Sequence, residues 1–136
     1  DRFRRADRYV RLGLAAIHQL FEKIEPSPQM GIVLSSPAGC RIIDLRYHQR
    51  LLKLGAAMAS RRDFTYTIPG GPAAEASILW GLTGPLLVLV GPLHQAEEEA
   101  VRLVRWGRAE RMISLGIDAP SASEPAIAVA AAWLRV

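Results

Sequence analysis

Apolar positions along the chain change period several times, and each change marks an element. From Asp7 to Ile24 the residues Tyr9, Val10, Leu12, Leu14, Ala15, Ile17, Leu20, Phe21 and Ile24 recur at helical spacing with charges between them. This predicts an amphipathic helix, stopped by Pro26 and Pro28. Met30 to Ser36 is a short continuous apolar run closed by Ser-Pro-Ala-Gly, as suits a buried parallel strand. Helical period returns from Arg41 to Ser60 through Ile43, Leu45, Leu51, Leu52, Leu54 and Met58. Arg61 to Gly71, with Pro69 and a Gly-Gly pair, reads as a loop, and Pro72 to Trp80 as a short helix with proline in its first turn. Leu86 to Gly91 is apolar without alternation, which predicts a strand covered on both faces. His94 to Trp106 follows as a helix with Glu97, Glu98 and Glu99 early and Arg102 and Arg105 late. That order suits the helix dipole and allows a Glu98–Arg102 pair at four-residue spacing. Ala109 to Asp118 and Pro125 to Val136 read as two more strands. Strand and helix alternate, which argues for an α/β layered sheet, without internal repeats or low-complexity tracts.

A chain of 136 residues is one domain by length, residues 1–136, and 50% hydrophobic content with 22% charged residues argues against disorder. The 17 basic and 13 acidic side chains leave a formal charge of +4, unevenly placed. Arg2, Arg4, Arg5, Arg8 and Arg11 crowd the beginning, against Asp1 and Asp7 alone. Such a patch meets an acidic partner, nucleic acid or anionic lipid, or is simply a solvated helix face. No aromatic platform interleaves the basic residues, so nucleic acid is not the expected partner. The single cysteine, Cys40, excludes an internal disulfide and a cysteine-based zinc cluster and makes a reducing cytoplasm the default. The longest apolar stretches, Leu86 to Val90 and Ala126 to Leu134, fall short of the roughly 20 residues of a spanning helix. No membrane segment, signal peptide, metal or cofactor is expected. The first residue is Asp1 rather than methionine, and a trimmed upstream piece is the corresponding expectation.

The order of motifs carries a further reading. "ADRYVRLGLAAIHQL", "GIVLSSPAGC", "FTYTIPGGPAAEASILWGLTGP" and "AVRLVRWGRAERMISLGID" follow one another over nearly the whole chain, with Phe64 to Asp118 the most specific stretch. In this order and spacing they resemble the N-terminal half of a β-ketoacyl synthase, the thiolase-fold condensing enzyme of fatty acid and polyketide synthesis. The resemblance implies an α/β fold, a thiolase-like half in which a layered mixed sheet carries packed helices. It also implies a catalytic cysteine on the turn between Leu86–Gly91 and the helix containing "HQAEEEAVRLV". Counting forward from Gly84-Pro85 puts that cysteine at Leu93, and counting back from Gly107 puts it at Val90. Neither residue forms a thioester, and the three-residue disagreement implies a shortened elbow. The family's catalytic histidines lie in its C-terminal half and match none of His18, His48 and His94. A general base without a nucleophile has little to do, so His94 reads as a polar residue at a helix start, and Cys40 as a small turn residue.

What the resemblance leaves is surfaces. The family pairs two protomers through the strand before the nucleophile, which places Leu86, Leu87, Val88, Leu89 and Val90 at a dimer seam. The alternative is a central strand covered by helices. Elongating ketosynthases dock the acidic helix of acyl carrier protein on basic residues before the early helix, positions matched here by Arg4 and Arg5, with Arg8 and Arg11 extending the face. The expected function is a non-catalytic ketosynthase-like accessory protein, paired with an active ketosynthase, an acyl carrier protein or both, in the manner of a chain-length factor. In chain-length factors a glutamine replaces the cysteine, whereas Gln95 lies two positions past Leu93. One alternative is a homodimeric module binding an acyl or pantetheine group or a protein, and another is a fragment of a true condensing enzyme.

Overall fold

The computed structural model describes residues 2–121 and 123–135, the side chains of Arg2 and Arg5 excepted. After a single helical turn, α1 (Arg2–Arg5), the first predicted helix forms as α2 (Arg8–Phe21). It buries Tyr9, Val10, Leu14 and Ile17 on one side, the stripe that its apolar spacing demands. The buried run becomes β1 (Gly31–Ser36), enclosed along its whole length. α3 (Arg41–Leu54) starts after Gly39 and ends where Gly55 adopts φ 82°, so the helix expected to reach Ser60 stops at Leu54 and only a 3-10 turn, Ala56–Met58, follows. The expected loop from Arg61 contains a further short helix, α4 (Arg61–Thr65), whose Asp63 N–H donates to the Ser60 hydroxyl at 3.1 Å. α5 (Gly71–Trp80) carries Pro72 in its first turn and stops at Gly81 in the left-handed region.

The remaining elements are β2 (Leu86–Val90), α6 (His94–Arg105), β3 (Arg111–Asp118) and β4 (Ile127–Leu134). The strands form one four-stranded mixed sheet in the order β2-β1-β3-β4. β1 runs parallel to β2 and β3, and β4 runs antiparallel to β3. Chain direction across the sheet reverses after β2, so crossovers of one hand must leave their helices on opposite faces. They do: α5 packs with α2 on one face against Ile32, Leu34, Ile113, Leu115 and Ile117, and α6 packs on the other against Val33 and Met112. The small residues Ala96 and Ala100 let α6 lie close to the sheet.

Register is set at one end by the Gly-Leu-Thr-Gly-Pro turn. Gly84 donates to the Met30 carbonyl, Thr83 donates to Pro28, and Ile32 donates to Pro85 at 2.8 Å, which seats the beginning of β2 beside β1. A Cβ at Gly84 would lie 2.4 Å from the Gly31 nitrogen and 2.5 Å from the Gln29 carbonyl oxygen, so only glycine admits this approach. The position of β2 corrects one expectation. It is not a central strand but forms one border of the sheet: half-buried Val88 packs towards one helical layer and Leu87 and Leu89 towards the other, while at its ends Leu86 is 45% and Val90 71% exposed.

Candidate functional site

The junction of β2 and α6 is where the resemblance sets a nucleophile. Its residues are Val90, Gly91, Pro92, Leu93 and His94. The Gly91 N–H donates to the Ser36 carbonyl at 3.1 Å, and the buried Ser35 hydroxyl donates to the Pro92 carbonyl at 2.8 Å. α6 then opens with Leu93 already in helical conformation and with no side-chain cap. Leu93 packs onto the sheet, 3.1 Å from where a Cβ at Gly116 would stand. Gln95 turns its amide back over the junction, its Oε1 occupying space that a Cβ at Gly91 would need. Among the described residues no non-glycine has positive φ, so the junction holds a hydroxyl-bonded backbone rather than a strained, exposed nucleophile. His94 is exposed on the outer side of α6, 4.0 Å from Glu98, and Arg102 pairs with Glu99 rather than with the Glu98 its spacing suggests.

Cys40 sits elsewhere, after β1 at the start of α3, where it is buried. Burial first, and then the Asp44 carboxylate that accepts its S–H, push the thiol up to about 11. Beside it Tyr9 is pushed up to about 12, mainly by burial, while its hydroxyl donates to the Pro69 carbonyl at 2.8 Å. Neither group is ionised at neutral pH, so neither acts there as nucleophile or base. Among the described residues no group of three or more His, Cys, Asp or Glu side chains is placed to hold a metal ion, and no helix is long and apolar enough to cross a membrane.

The basic residues do not form one flat face. Arg8 is directed back into the molecule, its guanidinium donating to the Ser121 carbonyl at 3.0 Å and the Glu124 carbonyl at 3.3 Å. Arg4 and Arg8 border a cleft of about 470 Å³ that also takes in Arg11, Arg46, Arg50 and Arg62. Arg5 is in α1, with its side chain outside the described residues. Among the described residues the carboxylates of this cleft are Asp7 and Asp63, which pair with Arg46 at 2.7 Å and Arg50 at 3.1 Å. The gathering of α3 and α4 arginines onto the early patch went unread in the sequence. Arg46 and Arg50 share a helix face by their spacing, but nothing linear ties that face to α2. The Ser60-Arg-Arg-Asp63 pattern was the available signal for α4.

No family model matches the chain, and no curated protein matches it. Solved structures do. A chain of a type II polyketide acyl-carrier protein in complex with its hexaketide-bound ketosynthase superposes with TM-score 0.73 at 16% identity, over 82% of this chain and 31% of that one. A β-ketoacyl synthase from Burkholderia phymatum gives 0.72 at 18% identity, over 88% and 32%. A ketosynthase in complex with its chain length factor from Xenorhabdus doucetiae gives 0.71 at 16%, over 86% and 48%. The chain thus spans between 31% and 48% of these structures' chains. Mixed sheet, flanking helices and strand order together give this protein the thiolase-like fold of the β-ketoacyl synthases.

Proposed function

We propose that this protein is a non-catalytic ketosynthase-like partner in fatty acid or polyketide synthesis, pairing with an active ketosynthase, an acyl carrier protein or both, as a chain-length factor does. The observation that carries the reading is the β2–α6 junction. In a ketosynthase-type fold it presents Val90, Gly91, Pro92 and Leu93, with no side chain able to take up an acyl group. The structures of similar fold support the direction of the reading, since one is a ketosynthase with its chain length factor and another a carrier protein with its ketosynthase. Two surfaces suit such partners. Among the described residues the border strand β2 has a strand neighbour, β1, on one side only and exposes Leu86 and Val90, an arrangement that favours strand addition by another chain. Arg4 and Arg5 stand on α1 as the proposed carrier contacts, while Arg8 contributes charge and also donates to the carbonyls of Ser121 and Glu124.

The test is reconstitution. The purified chain is added to a cysteine-bearing ketosynthase and its carrier protein, and complex formation and product chain length are measured with and without it. A stable complex with altered product length supports the reading; no complex and identical products remove it. A homodimeric binding module is the second reading, favoured by the same open edge, because β2 can pair with its own copy. A solution mass of twice the chain with no affinity for a ketosynthase would select it.

A further inference from the structure

Where the end of α6 meets the end of β4, the two elements leave a hollow of about 350 Å³. Val101 and Val104 of α6 and Trp133 and Leu134 of β4 form its apolar walls, and Arg105 and Arg135 bring two guanidinium groups to it. We propose that this hollow binds a small carboxylate with an apolar body, the body against the valines and the indole, the carboxylate on the two guanidinium groups. The proposal goes beyond the pairing reading and does not depend on it, since β4 and β2 are opposite borders of the sheet.

Charge is the first argument, and it rests on these two arginines alone. Arg102 has Glu98 and Glu99 at helical spacing and pairs with Glu99, whereas the residues four and three before Arg105 are Val101 and Arg102, which offer it no carboxylate. Among the described residues neither the Arg105 nor the Arg135 guanidinium has an ion pair or a hydrogen bond, and no carboxylate lines the hollow. Glu97 and Glu98 border a separate hollow on α6, which shares Arg105 but not Arg135, and Glu110 borders another with Arg108 and Arg111. The end of α6 does not occupy the two groups either. Its last carbonyls, those of Arg102, Leu103 and Val104, accept from the N–H groups of Trp106, Arg108 and Gly107 at 3.0, 2.9 and 3.1 Å. Gly107 closes this turn at φ 67°, and Nη1 of Arg135 lies 3.6 Å from where its Cβ would stand, so this guanidinium reaches across the helix end. Each group keeps a planar fork of donors, which a carboxylate meets with two parallel bonds.

The walls are the second argument. Trp133 is held in place: its Nε1 donates to the Ser114 hydroxyl at 2.9 Å, and its ring packs on the cluster of Val33, Val104 and Met112. The indole wall therefore stands before a ligand arrives, and little ordering is left to oppose binding. The volume is at the lower end of small-molecule sites, roughly 300–1,000 Å³, which suits a compact molecule rather than a protein helix. A phosphate ester would bring more hydrated oxygens than two guanidinium groups can take up beside apolar walls, whereas a single carboxylate is matched by one fork.

Octanoate is the probe, titrated calorimetrically into the whole chain at about 50 and about 300 mM salt. The expected result is saturable binding that weakens at high salt and is tighter than for acetate, which lacks the apolar body, or octylamine, which carries the opposite charge. Arg105→Gln and Arg135→Gln should each weaken it about tenfold or more, while Lys53→Gln, which removes a charge on α3, leaves it unchanged. All three side chains are exposed, so the variants keep the fold, as melting curves verify. No saturable binding, octylamine bound as tightly as octanoate, or equal weakening by Lys53→Gln would overturn the proposal. Octanoate binding without capture of a ketosynthase or carrier protein sinks the accessory reading alone, and capture without octanoate binding sinks this one alone.

Discussion

At Cys40 two effects act in the same direction: burial strips water from the sulfur, and Asp44, four residues further on, accepts the S–H at 3.5 Å and repels a thiolate. With the thiol pushed from its ordinary 9.0 to about 11, the thiolate fraction at pH 8 is about one in a thousand, against about one in ten for an ordinary cysteine. Iodoacetamide labelling of the native chain at pH 8, followed by mass, should therefore run about a hundredfold or more slower than in urea-unfolded chain. The native rate should climb about tenfold per pH unit until the titration is reached. Rapid native labelling at pH 7 would show that Cys40 is a reactive thiol after all. The same shifts carry a sign for stability. Cys40 and Tyr9 both favour the protonated form in the folded chain, so their contribution is complete below the ordinary values of 9.0 and 10.0 and is lost as pH rises toward about 11 and 12. The small-residue reading of Cys40 was legible from its place after Ser-Pro-Ala-Gly, without a neighbouring His or Lys. Asp44 was visible at four-residue spacing; its acceptance of the thiol proton depends on a helix starting at Arg41.

Among the elements, the strongest periodic segments formed as expected because their apolar spacing matched a face that the sheet buries. α2 and α6 are of this kind, whereas β1 was legible as a continuous apolar run and α5 from the proline in its first turn. The misreadings have two causes, one in where an element sits in the sheet and the other in where a helix stops or starts. Leu86 to Val90 is apolar throughout yet borders the sheet, and no pattern within five residues distinguishes a border strand awaiting a partner from a central one. α3 was expected to run on because Met58 keeps helical phase, but Gly55 at φ 82° breaks the helix. One contact between elements gives a sharp test. A Cβ at Gly13 in α2 would stand 2.6 Å from Cβ of Pro72 in α5 and 2.9 Å from Cδ1 of Ile117 in β3. Gly13→Ala gains up to about 1 kcal/mol of helix propensity, and overpacking a core against a rigid proline ring costs about 1–3 kcal/mol. The steric term should win, with urea denaturation giving a net loss of about 1 kcal/mol or more. A stabilised variant would mean that α2 and α5 slide apart without penalty.

For the whole molecule the open border at β2 is the decisive feature, because it bears on both readings of function. Strand addition there satisfies backbone groups and covers Leu86 and Val90 whether the added strand comes from a ketosynthase or from a second copy. In the proposed self-pairing, antiparallel and centred on Val88, Leu86 of each chain lies opposite Val90 of the other. Residues 86 and 90 face the same side of β2 and are exposed, so replacing them leaves the core intact. Leu86→Lys with Val90→Lys puts like charges directly opposite one another and should weaken a dimer about tenfold or more in analytical ultracentrifugation. Leu86→Lys with Val90→Glu restores opposite charges across the same pairs, and the dimer should return. Recovery by the second variant identifies both the seam and its register. Equal loss in both places the pairing in another register or with another chain, and the ketosynthase complex then becomes the assembly in which the same two variants are compared. If neither variant changes the mass of either assembly, β2 is not the seam, and the proposed pairing through this strand fails.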